Sequence, residues 1–181
     1  MSPHKDAFDL ADVVSRLKNT VSETSPGTKV KEILQDEMRD PDRVLKGMPD
    51  FEKDEEILFE DDTISIWFCR FQPGMTVPPH DHQMISTIAV YSGAECNEFF
   101  ENDPNGTIRK SNEVILSAGN VLQIGPSAIH AVSCASAEPC CGIHVYLGRL
   151  TEVDRSLFDI PNAERLKFTE VNYLLLTSLD R

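Results

Sequence analysis

The segment Pro78-Pro79-His80-Asp81-His82 sets two imidazoles two residues apart. In an extended chain residues i and i+2 face the same side, so His80 and His82 can reach one metal ion. A further ligand must come from elsewhere, and His130, after the Gly125-Pro126 turn, is the candidate. Neutral imidazoles suit iron, zinc, copper or nickel, whereas magnesium and calcium prefer oxygen. Three protein ligands leave coordination positions open to water, substrate or oxygen, which is a catalytic arrangement more often than a structural one. Two surface histidines at this spacing are the bland alternative. A site is favoured by the Pro73-Gly74 turn before the pair, the apolar run Ile85–Val90 after it, and the matching later histidine.

His144 and Tyr146 also share one face of an extended segment, Gly142-Ile143-His144-Val145-Tyr146. Two readings stay open for them. They are a hydrogen-bonded core pair, or His144 orients the Tyr146 hydroxyl toward a metal-bound substrate or oxygen.

The elements that must position these residues change character along the chain. Asp6 to Val21 carries Phe8, Leu10, Val13, Val14, Leu17 and Val21 near the helical period, and Val30–Met38 repeats the pattern. Pro41 and the Gly47–Pro49 stretch are expected to end the helical part. Strands are predicted at Ile57–Glu60, Ser65–Gln72, Ile85–Tyr91, Glu95–Glu101, Ile108–Leu116, Val121–Ile124, Ala131–Ala135 and Gly142–Leu147, with turn residues between them. Short strands without intervening helices indicate a barrel or sandwich, not βαβ units. The division expected is a helical segment over residues 1–50 packed on a barrel over 51–181, whose tail from Thr151 covers it.

With these residues assembled, the sequence resembles the cupin superfamily, and within it the thiol dioxygenases that act on cysteine or 3-mercaptopropionate. Gly74, His80, His82 and Gly93 match the first cupin motif; Gly119, the turn Gly125–Ser127 and His130 match the second. Cupins in general place a glutamate ligand four residues after the second histidine; Ser86 stands there, as in the all-histidine site of thiol dioxygenases. His144 and Tyr146 match the last two members of that family's Ser-x-His-x-Tyr arrangement, but Gly142 replaces the serine. Thr87 holds the position of the cysteine that cross-links to the tyrosine in animal enzymes, so no such thioether is expected. The resemblance covers about Asp62 to Leu150. It implies a mainly β fold, a double-stranded β-helix or jelly-roll barrel with N-terminal helices, and a metal held by His80, His82 and His130. Fe(II) is the first choice of metal, with nickel, zinc or manganese as alternatives.

The implied activity is oxidation of a small thiol to its sulfinate by dioxygen, with His144 and Tyr146 as catalytic residues. The family's carboxylate-binding arginine has no counterpart near Asp54–Asp62, which is acidic; Arg70 and Lys53 are the nearest candidates. That counts against free cysteine, and a neutral or amine-bearing thiol, or a larger molecule, fits the local charge no worse. Ile88, Val90, Val121, Ile124 and Val132 are expected to wall the site. The alternatives are another metal-dependent cupin reaction (carbon–carbon cleavage by a dioxygenase, isomerisation or a lyase step) and a non-enzymatic metal or small-molecule binder.

Composition narrows the partners. A formal charge of −13 over 181 residues repels phosphate backbones, so nucleic acid is not expected. No apolar run approaches the roughly 20 residues needed to span a bilayer, so no membrane partner is expected. The N-terminal residues lack a basic and apolar leader. The five cysteines are odd in number and lack zinc-type spacing. A cytoplasmic protein, a monomer or homodimer, is the expectation.

Overall fold

The computed structural model describes residues 7–179; Asp6, at the start of the first expected helix, lies outside them. Three helices come first: α1 (Leu10–Asn19), α2 (Pro26–Glu37) and α3 (Pro41–Gly47). The Asp9 carboxylate caps α1 by accepting from the Ala11 and Asp12 amides at 2.9 and 3.2 Å. Pro41 begins a helix and does not end one. Its missing N–H falls where a helix has no acceptor for it, and Asp40 caps the turn from the Arg43 amide at 3.0 Å.

The strands follow as β1 (Glu55–Glu60), β2 (Ser65–Phe71), β3 (Met75–Asp81), β4 (Ser86–Ser92), β5 (Ala94–Asn102), β6 (Ile108–Ser117), β7 (Val121–Ile124), β8 (Ile129–Cys134) and β9 (Cys140–Tyr146). After them come β10 (Ser156–Asp159), β11 (Glu164–Lys167), a last helix α4 (Glu170–Leu176) and β12 (Ser178–Leu179). Two antiparallel sheets result, one ordered β1-β2-β9-β4-β7 and the other β11-β10-β3-β8-β5-β6, with β12 paired to β3. Successive strands cross between the sheets, so the architecture is mainly β, a double-stranded β-helix with helices before it.

The eight predicted strands are all present with small shifts in their ends. The strand that carries His80, β3, is not among those predicted, and its Pro78-Pro79 cannot donate to a ladder. The structure accommodates both prolines at a break in register between Val77 and His80, next to β8.

Val13, Leu17, Val30, Leu34, Met38 and Val44 from the helices pack with Ile64, Ile66, Phe68, Ala89, Ile143 and Val145 from β2, β4, β9 and the turn before β2. The helices therefore cover the outer face of the first sheet. Leu17 and Leu34 are fully buried, and each contributes about 2 kcal/mol by leaving water. Glu37 is buried in this layer between the guanidinium groups of Arg16 and Arg43, tying α1, α2 and α3 together. With its outer face covered by helices, the first sheet leaves its inner face to meet the second sheet, and the histidines lie there.

Candidate metal centre and its cavity

His80 stands directly opposite His130 across the β3–β8 pair. His82 follows one step beyond the end of β3, where Gln83 adopts a left-handed conformation (φ 57°) and turns the chain toward β4. The alternation of an extended chain sends His80 and His82 inward and Asp81 the opposite way. There Asp81 accepts from the Ser156 amide at 2.8 Å and the Gln83 side chain at 2.7 Å. Ring nitrogens of His80, His82 and His130, all three buried, lie within 4.8 Å of one another. The structure thus brings together the triad expected from the sequence.

The far side of two rings is anchored. His80 Nδ1 lies 2.9 Å from the Pro78 carbonyl, and His130 Nδ1 lies 2.8 Å from Asn97 Oδ1. Both acceptors require an N–H on Nδ1, which leaves the Nε2 lone pair free to ligate. His82 Nε2 lies 2.9 Å from His130 Nε2, and with the His130 proton on Nδ1 the donor of this contact is His82. His82 Nδ1, which has no partner among the described residues, is then a bare acceptor. Burial, reinforced by neighbouring imidazoles, holds His80 and His82 well below the ordinary histidine pKa. Burial brings His130 down to about 4. Three neutral, buried, convergent imidazoles fit a borderline transition metal and do not fit calcium or magnesium.

His144 and Tyr146 reach the same space from β9, in the other sheet. The Tyr146 ring centroid lies 4.9 Å from that of His82, and its hydroxyl lies 3.4 Å from His144 Nδ1. His144 Nε2 lies 3.2 Å from Glu95 Oε2, on β5. Burial opposes a charge on His144, but Cys69 and Glu95 beside it outweigh that and hold its pKa well above the ordinary value. Burial keeps Tyr146 a protonated phenol.

Together these side chains border a cavity of about 460 Å³, closed on its apolar sides by Trp67, Phe71, Val77, Val132 and Leu150. Of the five aliphatic residues expected as walls, only Val132 lines it. Ile88 and Val90 pack against Leu116 elsewhere, and Val121 lies against the helix-side core. Ile88 and Val90 do share the inward face of the sheet with His144 and Gly142, their cross-strand partners, but they lie outside the cavity lining.

The larger correction concerns the cation. Arg70 does not reach the cavity: its guanidinium donates to Asp54 Oδ1 at 2.6 Å and to the Phe51 carbonyl at 3.3 Å. Lys53 is exposed and does not line the cavity either. Arg155, just before β10, does line it. Its guanidinium stacks over the Phe168 ring at 3.5 Å, and no ion pair or side-chain hydrogen bond holds it among the described residues. Burial works against its charge and lowers its pKa. An unpaired, half-buried guanidinium beside a metal-type site is a ready receptor for an anion. No motif spacing pointed to it. It enters the cavity because β10 and β11 fold back beside β3.

No protein-family model matches this chain, and no curated protein matches it. Many solved structures do share parts of its fold. The DMSP lyase DddQ from Ruegeria pomeroyi superposes with a TM-score of 0.45 at 16% identity, over 57% of this chain and 50% of the lyase. The chain thus spans about half the length of that enzyme. A protein with a double-stranded β-helix domain from Klebsiella pneumoniae gives 0.46 at 17% identity, over 63% and 87% of the two chains. Bacillus subtilis oxalate decarboxylase, which has Mn(II) centres, gives 0.45 at 19% identity, over 64% of this chain and 31% of that one. The lyase and decarboxylase activities are those of the neighbours. No helix among the described residues is long and apolar enough to cross a membrane.

Proposed function

We propose that this chain is a metal-dependent oxygenase that converts a small thiol bearing a carboxylate into its sulfinate, with iron as the metal. The observation that carries the reading is the set of three neutral imidazoles, without a carboxylate ligand, at a cavity that also holds Tyr146 and the unpaired Arg155. His80, His82 and His130 would hold the metal, which supplies Lewis-acid binding of a thiolate and activation of dioxygen.

Arg155 receives the carboxylate and so sets how far the sulfur reaches toward the histidines. This narrows the sequence-based expectation, which left neutral, amine-bearing and larger thiols open because the acidic stretch lacks arginine. Tyr146, held as a phenol, offers a proton donor beside the His82 ring. His144 fixes the direction of that hydroxyl. Trp67, Phe71 and Val132 limit water around the reacting atoms.

The test is metal content of protein purified without added metal, followed by oxygen uptake with a panel of thiols that do or do not carry a carboxylate. Iron near one per chain, with uptake stimulated by an acidic thiol and a sulfinate product, supports the reading. Turnover without oxygen would replace it with a lyase or isomerase reaction at the same centre.

A further inference from the structure

The serine that precedes the His-x-Tyr pair in the resembled family is absent here, and Gly142 explains why no side chain replaces it. A Cβ on Gly142 would stand 2.9 Å from the Ala89 carbonyl oxygen and 3.3 Å from His144 Nε2. The Ala89 carbonyl blocks that position first and the imidazole crowds it further. The imidazole's partner comes from the opposite sheet instead: Glu95, 1% exposed, on β5.

Glu95 has a second buried contact. Asn97 Nδ2 donates to Glu95 Oε1 at 2.9 Å, and Asn97 Oδ1 accepts from His130 Nδ1 at 2.8 Å. Glu95 and Asn97 are two residues apart on one strand and both face inward, so the three groups form a continuous chain. Its polarity is dictated by the carboxylate, which only accepts. Asn97 must turn its amide NH₂ toward Glu95, so its oxygen must face His130. His130 must then carry its proton on Nδ1, which leaves the Nε2 lone pair for the metal site. On the other arm, the same carboxylate takes the His144 Nε2–H and leaves Nδ1 facing the Tyr146 hydroxyl.

We infer that Glu95 is the positioning residue of this site, one buried carboxylate that sets the proton position on His130 through Asn97 and holds the His144 Nε2–H directly. It replaces the missing serine and adds a link to a metal-ligand histidine. The inference rests on the metal-site reading only for its consequence in affinity; the proton positions can be read in the metal-free protein.

Glu95→Gln keeps the shape and removes the double acceptor. The amide introduced by this change presents NH₂ to one arm. If it faces Asn97, that side chain flips and His130 is driven to carry its proton on Nε2. If it faces His144, that ring loses its Nε2–H. Long-range ¹H–¹⁵N NMR of the metal-free protein, with His130 and His144 assigned by substitution, reads the protonation of both rings. The expected result in the wild type is Nδ1–H on His130 and a His144 ring protonated at Nε2 and charged, with the His130 tautomer or the His144 charge changed in Glu95→Gln. Metal titration then gives a Kd for Co(II) about 10-fold or more weaker in Glu95→Gln and Asn97→Ala, the range for partners of ligating histidines. His144→Ala, on the other arm, leaves that Kd within about threefold while lowering kcat. An unchanged His130 tautomer, His144 charge and Co(II) affinity in a folded Glu95→Gln would overturn the inference. Should that variant not fold, Asn97→Ala with wild-type affinity and an unchanged His130 tautomer would do the same. A wild type with the stated proton positions and no Co(II) binding would instead remove the metal-site reading and leave the proton relay standing.

Discussion

Replacing Arg155 by methionine separates substrate recognition from chemistry at this site. Methionine keeps an unbranched chain against Phe168 but removes the guanidinium that stacks there at 3.5 Å. A carboxylate held by a planar guanidinium in a half-buried cavity gains charge-assisted hydrogen bonds of about 1.5–3 kcal/mol each. Because Arg155 is partly open to solvent and is freed from no competing ion pair, about 2–3 kcal/mol in total is reasonable. That corresponds to a loss of roughly 30–150-fold in kcat/KM for an acidic thiol. Arg155→Lys keeps the charge but loses the fork and the flat stacking face, so about tenfold is expected. The assay is oxygen uptake with 3-mercaptopropionate and with 2-mercaptoethanol, which has a similar reach and no carboxylate. In Arg155→Met the preference for the acid collapses, while turnover of the neutral thiol stays within about threefold. Equal losses for the two thiols would show that Arg155 supports the cavity wall and does not read the carboxylate.

Further outcomes follow from other contacts. Glu37→Ala leaves the largely buried Arg43 without its partner and should lower stability by about 2–3 kcal/mol in urea unfolding, with Co(II) affinity unchanged. Gly142→Ser forces a Cβ to within 2.9 Å of the Ala89 carbonyl. It should cost about 1–3 kcal/mol and lower kcat, measured by thermal melting and oxygen uptake. His130 titrates near 4 in the fold and near 6.5 unfolded, so the unfolded chain binds the extra proton as the pH falls. Metal-free protein should therefore lose about 2 kcal/mol from this group between pH 7 and pH 5. His80 and His82 act in the same direction, while His144, raised in the fold, acts in the opposite one. A urea midpoint that stays flat over that interval would contradict a neutral cluster.

What the sequence made legible follows from how local each signal is. The histidine pair and the His-x-Tyr pair were readable because a strand's period of two places their side chains without knowledge of the rest. His130 needed only its own turn and strand. Proline misled once: Pro41 looked like a stop but sits in the first turn of α3. Glu95 and Arg155 were not readable, for a different reason. On β5, Glu95, Asn97 and Phe99 alternate with Cys96, Glu98 and Phe100, and neither set is apolar enough to declare itself the inner one. Arg155 enters the site through the pairing of β10 with β3, a contact between residues more than 70 positions apart.

The division of labour between the two sheets explains why Glu95 matters more than its distance from the metal centre implies. His80, His82 and His130 belong to one sheet, His144 and Tyr146 to the other. Packing of apolar side chains sets the spacing of two sheets but carries no information about where a proton sits on an imidazole. That information has to come from a hydrogen-bonding group with a fixed direction, and a carboxylate is the one side chain that can only accept. Placed on β5, beside β8 and facing β9, Glu95 is within reach of both halves. A serine at position 142 would have oriented His144 alone, since a hydroxyl both donates and accepts and leaves the ring's proton undecided. With no side chain at Gly142, Glu95 is the group that ties the proton-donor arm of the site to its metal-binding arm.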